Sequence, residues 1–157
     1  MKLKRIISGG QTGVDRAALD ACLDLNFLCG GWCPAGRRAE DGEIPLKYPL
    51  KEIWSTSYED RTRKNIRESD ATLIIYKDEL SGGTLLTFNY AKETGQPVFL
   101  FKLSPFFIDK TLEQLIHFLE MNEIATLNVA GPRISQWSEA YKYSYLVCAE
   151  LIKKLNP

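Results

Sequence analysis

The chain has 157 residues, 45% of them apolar and 25% charged, which is the composition of a globular domain and excludes a disordered chain. Its 20 basic residues balance its 20 acidic ones, so no basic excess marks a general nucleic-acid binder or a partner of anionic membranes. No apolar run is long enough to cross a bilayer, no signal peptide is evident, and Cys22, Cys29, Cys33 and Cys148 show no pairing pattern; the expectation is one reduced, cytoplasmic domain over 1–157.

A short apolar strand, Lys4–Ser8, runs into Gly9-Gly10-Gln11-Thr12-Gly13. A helix follows at once, with Val14, Ala17, Ala18, Ala21, Cys22 and Leu25 on one stripe. A second short strand is expected near Phe27–Gly30, then an aperiodic stretch over Gly31–Leu50, and a third strand at Glu52-Ile53-Trp54. Ser57 opens a strongly polar helix to about Glu68. Ala71–Tyr76 reads as a buried strand, and Thr84–Thr94 as the helix after a second glycine loop, Ser81-Gly82-Gly83-Thr84. Gly95 and Pro97 end that helix. Val98–Lys102 is a fifth strand, Asp109 is expected to cap a helix with Leu112, Leu115, Ile116 and Leu119 inside, Ala125–Val129 is a sixth strand, and a last helix spans about Trp137–Leu155.

Strands alternating with helices predict an α/β fold, a mostly parallel sheet flanked by helices in a three-layer Rossmann-like sandwich. In the common order 3-2-1-4-5-6 the first and fourth strands are neighbours, and ligands bind beyond the carboxyl ends of the strands at that switch point. Both glycine loops leave strands at that end. A strand that turns through glycines into a helix start leaves backbone N–H groups unpaired and adds the positive end of the helix dipole, which favours an anion, most often phosphate.

Each motif has a plainer reading beside the functional one. The first loop lacks the GxGxxG spacing and the Gly-Lys-Ser/Thr tail of a P-loop, which disfavours an ordinary NAD enzyme or NTPase. Thr12 and Asp15 have capping-box spacing, and a carboxylate there would repel a phosphate; capping outweighs ligand contact for Asp15. Ser81, Gly82, Gly83 and Thr84 form either a plain turn with a threonine cap or a second anion loop. The polar helix puts Tyr58, Arg61, Thr62 and Asn65 on the stripe that a crossover helix buries, so Arg61 and Asn65 are expected to face a wet crevice. The stretch Gly31–Leu50 has the arginines and the aromatic of a ligand lid, with Arg37 and Arg38 offering bidentate phosphate contacts, although two arginines beside two acids also suit a self-neutralising surface loop. Glu40, Asp41 or Asp15 are candidate general bases, and the neighbours of Glu40 and Asp41 give no means of predicting a shifted pKa. Arg133, after the sixth strand, either closes the site or neutralises a helix end. Cys29 and Cys33 have no second ligand pair and His117 is the one histidine, so no metal site is expected.

Together these residues resemble the molybdenum carrier family, a branch with permuted motif order of the Rossmann-like superfamily that includes the Lonely Guy phosphoribohydrolases. The resemblance rests on Ser8–Asp20, on Gly31-Trp32-Cys33-Pro34 with Gly36–Gly42, on Arg61-Thr62 with Asn65, on Ser69–Ile74, on Ser81–Thr84 and on Asn128–Arg133, and covers essentially the whole chain. It implies a Rossmann-like fold and a phosphorylated small-molecule ligand, either the molybdenum cofactor, a pterin monophosphate, or a nucleotide derivative. Gly9, Gly10, Gln11, Thr12 and Gly13 would hold its phosphate, Gly82, Gly83 and Thr84 a second polar end, and Arg37, Arg38 and Arg61 would supply charge. The alternative is a hydrolase cleaving an N-glycosidic or phosphate bond, but Thr87 stands where the Lonely Guy pattern has its glutamate. A homo-oligomer is expected, with Phe106, Phe107 and Trp137 as interface aromatics.

Overall fold

The structure, a computed structural model, describes residues 2–157. In chain order it comprises β1 (Arg5–Ile7), α1 (Val14–Asp24), β2 (Cys29–Gly30), β3 (Trp32–Cys33), β4 (Arg38–Ala39), β5 (Gly42–Glu43) and β6 (Lys51–Glu52). The remainder is α2 (Tyr58–Arg67), β7 (Ala71–Tyr76), α3 (Gly82–Glu93), β8 (Val98–Lys102), α4 (Ile108–Met121), β9 (Thr126–Ala130) and α5 (Ala140–Leu155).

Five strands form one all-parallel sheet in the order β2-β1-β9-β7-β8. Helices α1, α4 and α5 pack together on one face and α2 and α3 on the other, giving a Rossmann-like three-layer α/β architecture. Strands covered on both faces should be apolar throughout, and β7 (Ala-Thr-Leu-Ile-Ile-Tyr) is buried from Ala71 to Ile75. The main core joins Ile6, Leu73, Ile75, Leu127 and Val129 of the sheet to Ala18, Cys22, Leu112, Leu115, Val147 and Leu151 of the helices.

Two expectations about the sheet are corrected. The strand expected at Glu52–Trp54 is Lys51–Glu52, and it pairs with β3 in a separate two-stranded ribbon rather than joining the sheet. Trp54 is 88% exposed, and Gly31 turns the chain off β2 with φ 131°. The order 3-2-1-4-5-6 also fails: β9 lies between β1 and β7, with Asn128 level with Ile7 on one side and Thr72 on the other. Nothing local encodes that insertion, because β9 has the same apolar character as its neighbours.

Helix starts differ from expectation as well. Phe107, not Asp109, is the N-cap of α4, and Asp109 lies in the first turn, where an acid still favours the dipole. Gly13 caps α1 and Ser81 caps α3, neither through its side chain, so Thr12 and Thr84 are not caps. Trp137 is buried and stacked on Tyr143, which removes it from any interface, whereas Phe106 and Phe107 are exposed. No helix among the described residues is long and apolar enough to cross a membrane.

The stretch 31–50 is folded onto α1. Leu19 packs with Cys33, Ala39, Ile44, Tyr48 and Leu50, and Gly10 sits beneath Leu50 and Ile44, where a Cβ would meet Leu50 Cδ1 at 2.5 Å.

Candidate functional site

A crevice opens beyond the carboxyl ends of β1 and β9, on the side of α2 and α3. Its walls come from Gly9 after β1, Asp15 at the start of α1, Arg61 and Asn65 of α2, Gly83 and Thr84 of α3, and Asn128 to Gly131 at the end of β9. Both glycine loops therefore border one cavity, as they follow parallel strands at the same end of the sheet. The strand between them is β9, which forms the floor.

The floor is polar because β9 turns Asn128 toward it. Asn128 is buried, and its Nδ2 donates to Thr72 Oγ1 at 3.2 Å. Thr72 Oγ1 in turn donates to Gln96 Oε1 at 2.6 Å, and Gln96 Nε2 donates to the carbonyls of Ile66 and Ser69 at 2.7 and 3.0 Å. A satisfied network of this kind fixes the floor's side chains and links the sheet to the end of α2. Close approach is also built in at Gly131, where a Cβ would lie 2.3 Å from Ile75 O and 2.6 Å from Val14 Cγ2.

The first loop is not a ring of free donors. Gln11 N–H donates to Asp15 Oδ2 at 3.2 Å, Thr12 N–H to Gln11 Oε1 at 3.1 Å, and Val14 N–H to Pro132 O at 3.3 Å. The protein's own acceptors thus occupy much of the place that the glycine pattern suggested for a phosphate. Asp15 does take a backbone N–H in the manner of a cap, while Thr12 turns its hydroxyl away to donate to Glu40 and accept from Ile134 N–H.

Asp15 is 4% exposed and lies 3.6 Å from Nη1 of Arg61, whose side chain is 11% exposed. Arg61 lies flat on Gly9: a Cβ there would meet Nη1 at 2.4 Å, so only glycine leaves room for the guanidinium. Its Nε is buried and has no hydrogen-bond partner among the described residues. Burial pushes the Asp15 carboxyl up, against the pull of Arg61 and the Gln11 N–H, and burial likewise pushes Arg61 down, against Asp15. A buried donor without a partner is costly, so Arg61 marks a place where a ligand acceptor would be stabilised.

Asn65 borders the crevice too, but its carboxamide is engaged by the backbone of Trp32. Arg133 stands at the rim with its Nε 3.7 Å from Glu40 and its guanidinium 5.9 Å from the Tyr58 ring. At the second loop Gly83 and Thr84 line the wall, whereas Ser81 and Gly82 are exposed beside it. The Thr84 and Leu85 N–H groups bond to Ser81 O, so Gly82 and Gly83 hold the helix-start N–H groups that have no intrahelical acceptor.

Arg37 and Arg38 lie elsewhere. Arg37 is buried and donates to the carbonyls of Ile44, Leu50, Pro45 and Tyr48 at 2.9 to 3.1 Å, so four of its five N–H donors fasten the 37–50 loop, away from the crevice. Arg38 donates to Thr56 O at 2.9 Å and covers the Tyr58 ring at 4.3 Å. Glu40 and Asp41 clasp that loop to the first glycine loop. Glu40 accepts from Thr12, from Ser135 N–H at 3.2 Å and from Ser135 Oγ at 2.6 Å, and Asp41 pairs both oxygens with Arg16, whose Nε holds Gly10 O at 3.0 Å. Against the cost of burial, the largest single contribution, Ser135, Thr12 and Arg133 together hold the Glu40 carboxyl below its usual range, and the Arg16 hydrogen bonds do the same for Asp41. Ionised clasps of this kind are poor proton acceptors, so of the three candidate bases only Asp15 stands in the crevice.

Sequence reasoning missed Tyr58, Thr87, Asn128 and Gln136, which also line the crevice. Tyr58 and Asn128 had a signal, one on the stripe of the polar helix and the other a polar residue inside a buried strand. Gln136 had none. Among the described residues no cluster of three metal-ligating side chains occurs.

Residues 6–152 match the circularly permutated YpsA SLOG family. The crystal structure of a protein from Syntrophus aciditrophicus SB, named "Putative molybdenum carrier protein", superposes with a TM-score of 0.91 at 36% sequence identity, covering 99% of this chain and 96% of that one. No curated protein matches the chain significantly.

Proposed function

As the chain belongs to the circularly permutated YpsA SLOG family, we propose that it is a carrier that holds a phosphorylated cofactor in the crevice above β9, with the molybdenum cofactor or a nucleotide derivative as the ligand. The observation that supports this reading is Arg61, a nearly buried guanidinium with an unpartnered Nε in the wall of a cavity between two glycine loops. The α3 start with Gly83 and Thr84, and Arg133 at the rim, supply positive potential for a phosphate. The name of the Syntrophus protein points to a molybdenum-related ligand.

Isothermal calorimetry with the molybdenum cofactor, molybdate and a set of nucleotides tests the reading. It expects binding of a phosphorylated ligand in the micromolar range or tighter, weakened roughly tenfold or more in Arg61→Ala, since a charged hydrogen bond is worth about 1.5–3 kcal/mol. Binding of none of them overturns it. The same reading takes the protein as one ligand-binding domain, cytoplasmic and homo-oligomeric, with the exposed Phe106 and Phe107 available to a partner copy; light scattering in solution measures the assembly.

A hydrolase acting on a nucleotide derivative is the second reading, and Asp15 favours it. It is a buried carboxyl in the crevice whose proton affinity is raised, as a general base or acid needs. Release of base or phosphate from a nucleotide set, abolished in Asp15→Asn, would establish that reaction.

A further inference from the structure

The crevice has two chemically different ends, and their difference bears on how a ligand lies in it. At the first loop the donors of Gln11 and Thr12 are already used, and a buried carboxylate stands among them. A phosphate placed there would face Asp15 in a site with little water, where like charges repel strongly. At the other end, Gly83 and Thr84 start α3, and Arg133 stands at the rim.

Beside Asp15, at 3.6 Å, lies the Arg61 guanidinium with its idle Nε. The pair offers an acceptor-only group next to a donor-only group, both held by burial. A carboxylate has about four acceptor sites and the Gln11 N–H uses one of them. The crevice, open on one side, has a volume of about 90 Å³. That is well below the 300–1,000 Å³ typical of a pocket enclosing a whole ligand of drug size, so it admits one edge of a flat ring while the rest of the ligand lies over the open mouth.

Building on the carrier reading, we propose that Asp15 and Arg61 recognise the 2-amino-4-oxo-pyrimidine edge that pterins and guanine share, and that the ligand's phosphate points away from them to the start of α3 and to Arg133. The 2-amino group and the adjacent ring N–H donate to the Asp15 carboxylate, and the oxo group accepts from Arg61. Adenine, which lacks the oxo group and the ring N–H, and hypoxanthine, which lacks the amino group, cannot complete this pattern. Asp15 is therefore the residue that determines specificity for the head group.

Two ligand pairs that differ only at the 2-position test this by calorimetry: GMP against IMP, and a pterin monophosphate against its lumazine counterpart, with AMP and inorganic phosphate as further probes. On the wild-type protein the 2-amino member of at least one pair binds roughly tenfold to a hundredfold tighter, the range expected for hydrogen bonds to a buried charge. In Asp15→Asn, checked for folding by circular dichroism, that preference disappears. If IMP matches GMP and the lumazine matches the pterin while all bind, the head-group assignment is overturned and the carrier reading survives. If no phosphorylated ligand binds, the carrier reading fails and the assignment with it. The wild-type comparison decides the matter even should the variant not fold.

Discussion

Asn65 of α2 pairs with the backbone of Trp32 through both ends of its carboxamide, Nδ2 donating to Trp32 O at 2.9 Å and Oδ1 accepting from Trp32 N–H at 2.8 Å. One side chain thereby stands in for a neighbouring strand. It satisfies the two main-chain groups of the segment that leaves the sheet after Gly31, and it fixes α2, with Arg61 one turn earlier, against that segment.

Asn65→Ala should cost about 2–4 kcal/mol, because it leaves the Trp32 N–H and C=O without partners in a part-buried place. Asn65→Asp should not restore stability, since a carboxylate accepts from the N–H but donates nothing to the carbonyl. Urea unfolding of the two variants measures both.

Arg37→Ala should destabilise by about 3 kcal/mol or more through the loss of hydrogen bonds to the carbonyls of Ile44, Leu50, Pro45 and Tyr48. Arg37→Lys should recover little, as an ammonium cannot reproduce the planar fork. Hydrogen exchange should report the damage first in the 37–50 loop.

Much of this fold is legible in the amino-acid sequence. Ala71–Tyr76 reads as a buried strand because both of its faces are covered, and the helical stripes at Val14–Leu25 and Leu112–Leu119 follow from spacing alone. Arg61 and Asn65 announced themselves as polar residues on a face that should be apolar, and both border the crevice. The sheet order was not legible, because β9 has no local mark of the place it takes between β1 and β7. Nor were the fates of Arg37 and of the first loop. Arg37 bonds to carbonyls, which every residue carries, and the Gln11 and Asp15 side chains fold back onto a loop whose glycines suggested openness.

Acid should open the loop clasp before it melts the sheet. Glu40 and Asp41 have their carboxyls held below the ordinary range, by Ser135 and Thr12 for the first and by Arg16 for the second. Their contribution is complete above the unfolded-state values near pH ~4 and is lost as pH falls through the lower folded-state values. Hydrogen exchange through that window should show the clasped 37–43 turn losing protection ahead of β7. Glu40→Gln should move the loss at Glu40's contacts to neutral pH.

The Asp15–Arg61 pair carries the opposite sign. Because burial raises the folded-state pKa of Asp15, its ionisation opposes stability more as pH rises past the unfolded value near ~4. Removing Arg61 should deepen this effect. Arg61→Ala is expected to lose about 2–4 kcal/mol at neutral pH and less at mildly acid pH, where Asp15 takes up a proton. Asp15→Asn in the Arg61→Ala background should restore part of the loss, which a double-mutant cycle by urea unfolding measures.

The position of β9 has a consequence for how the polypeptide acquires its shape. Until Thr126–Ala130 has emerged, β1 and β7 have no edge in common, and the main-sheet strands of residues 5 to 102 can assemble only as two separate pairs, β1 with β2 and β7 with β8. The seam closes when a late segment slides between an early one and a middle one, a non-local event that slows folding and leaves two open strand edges exposed in the meantime.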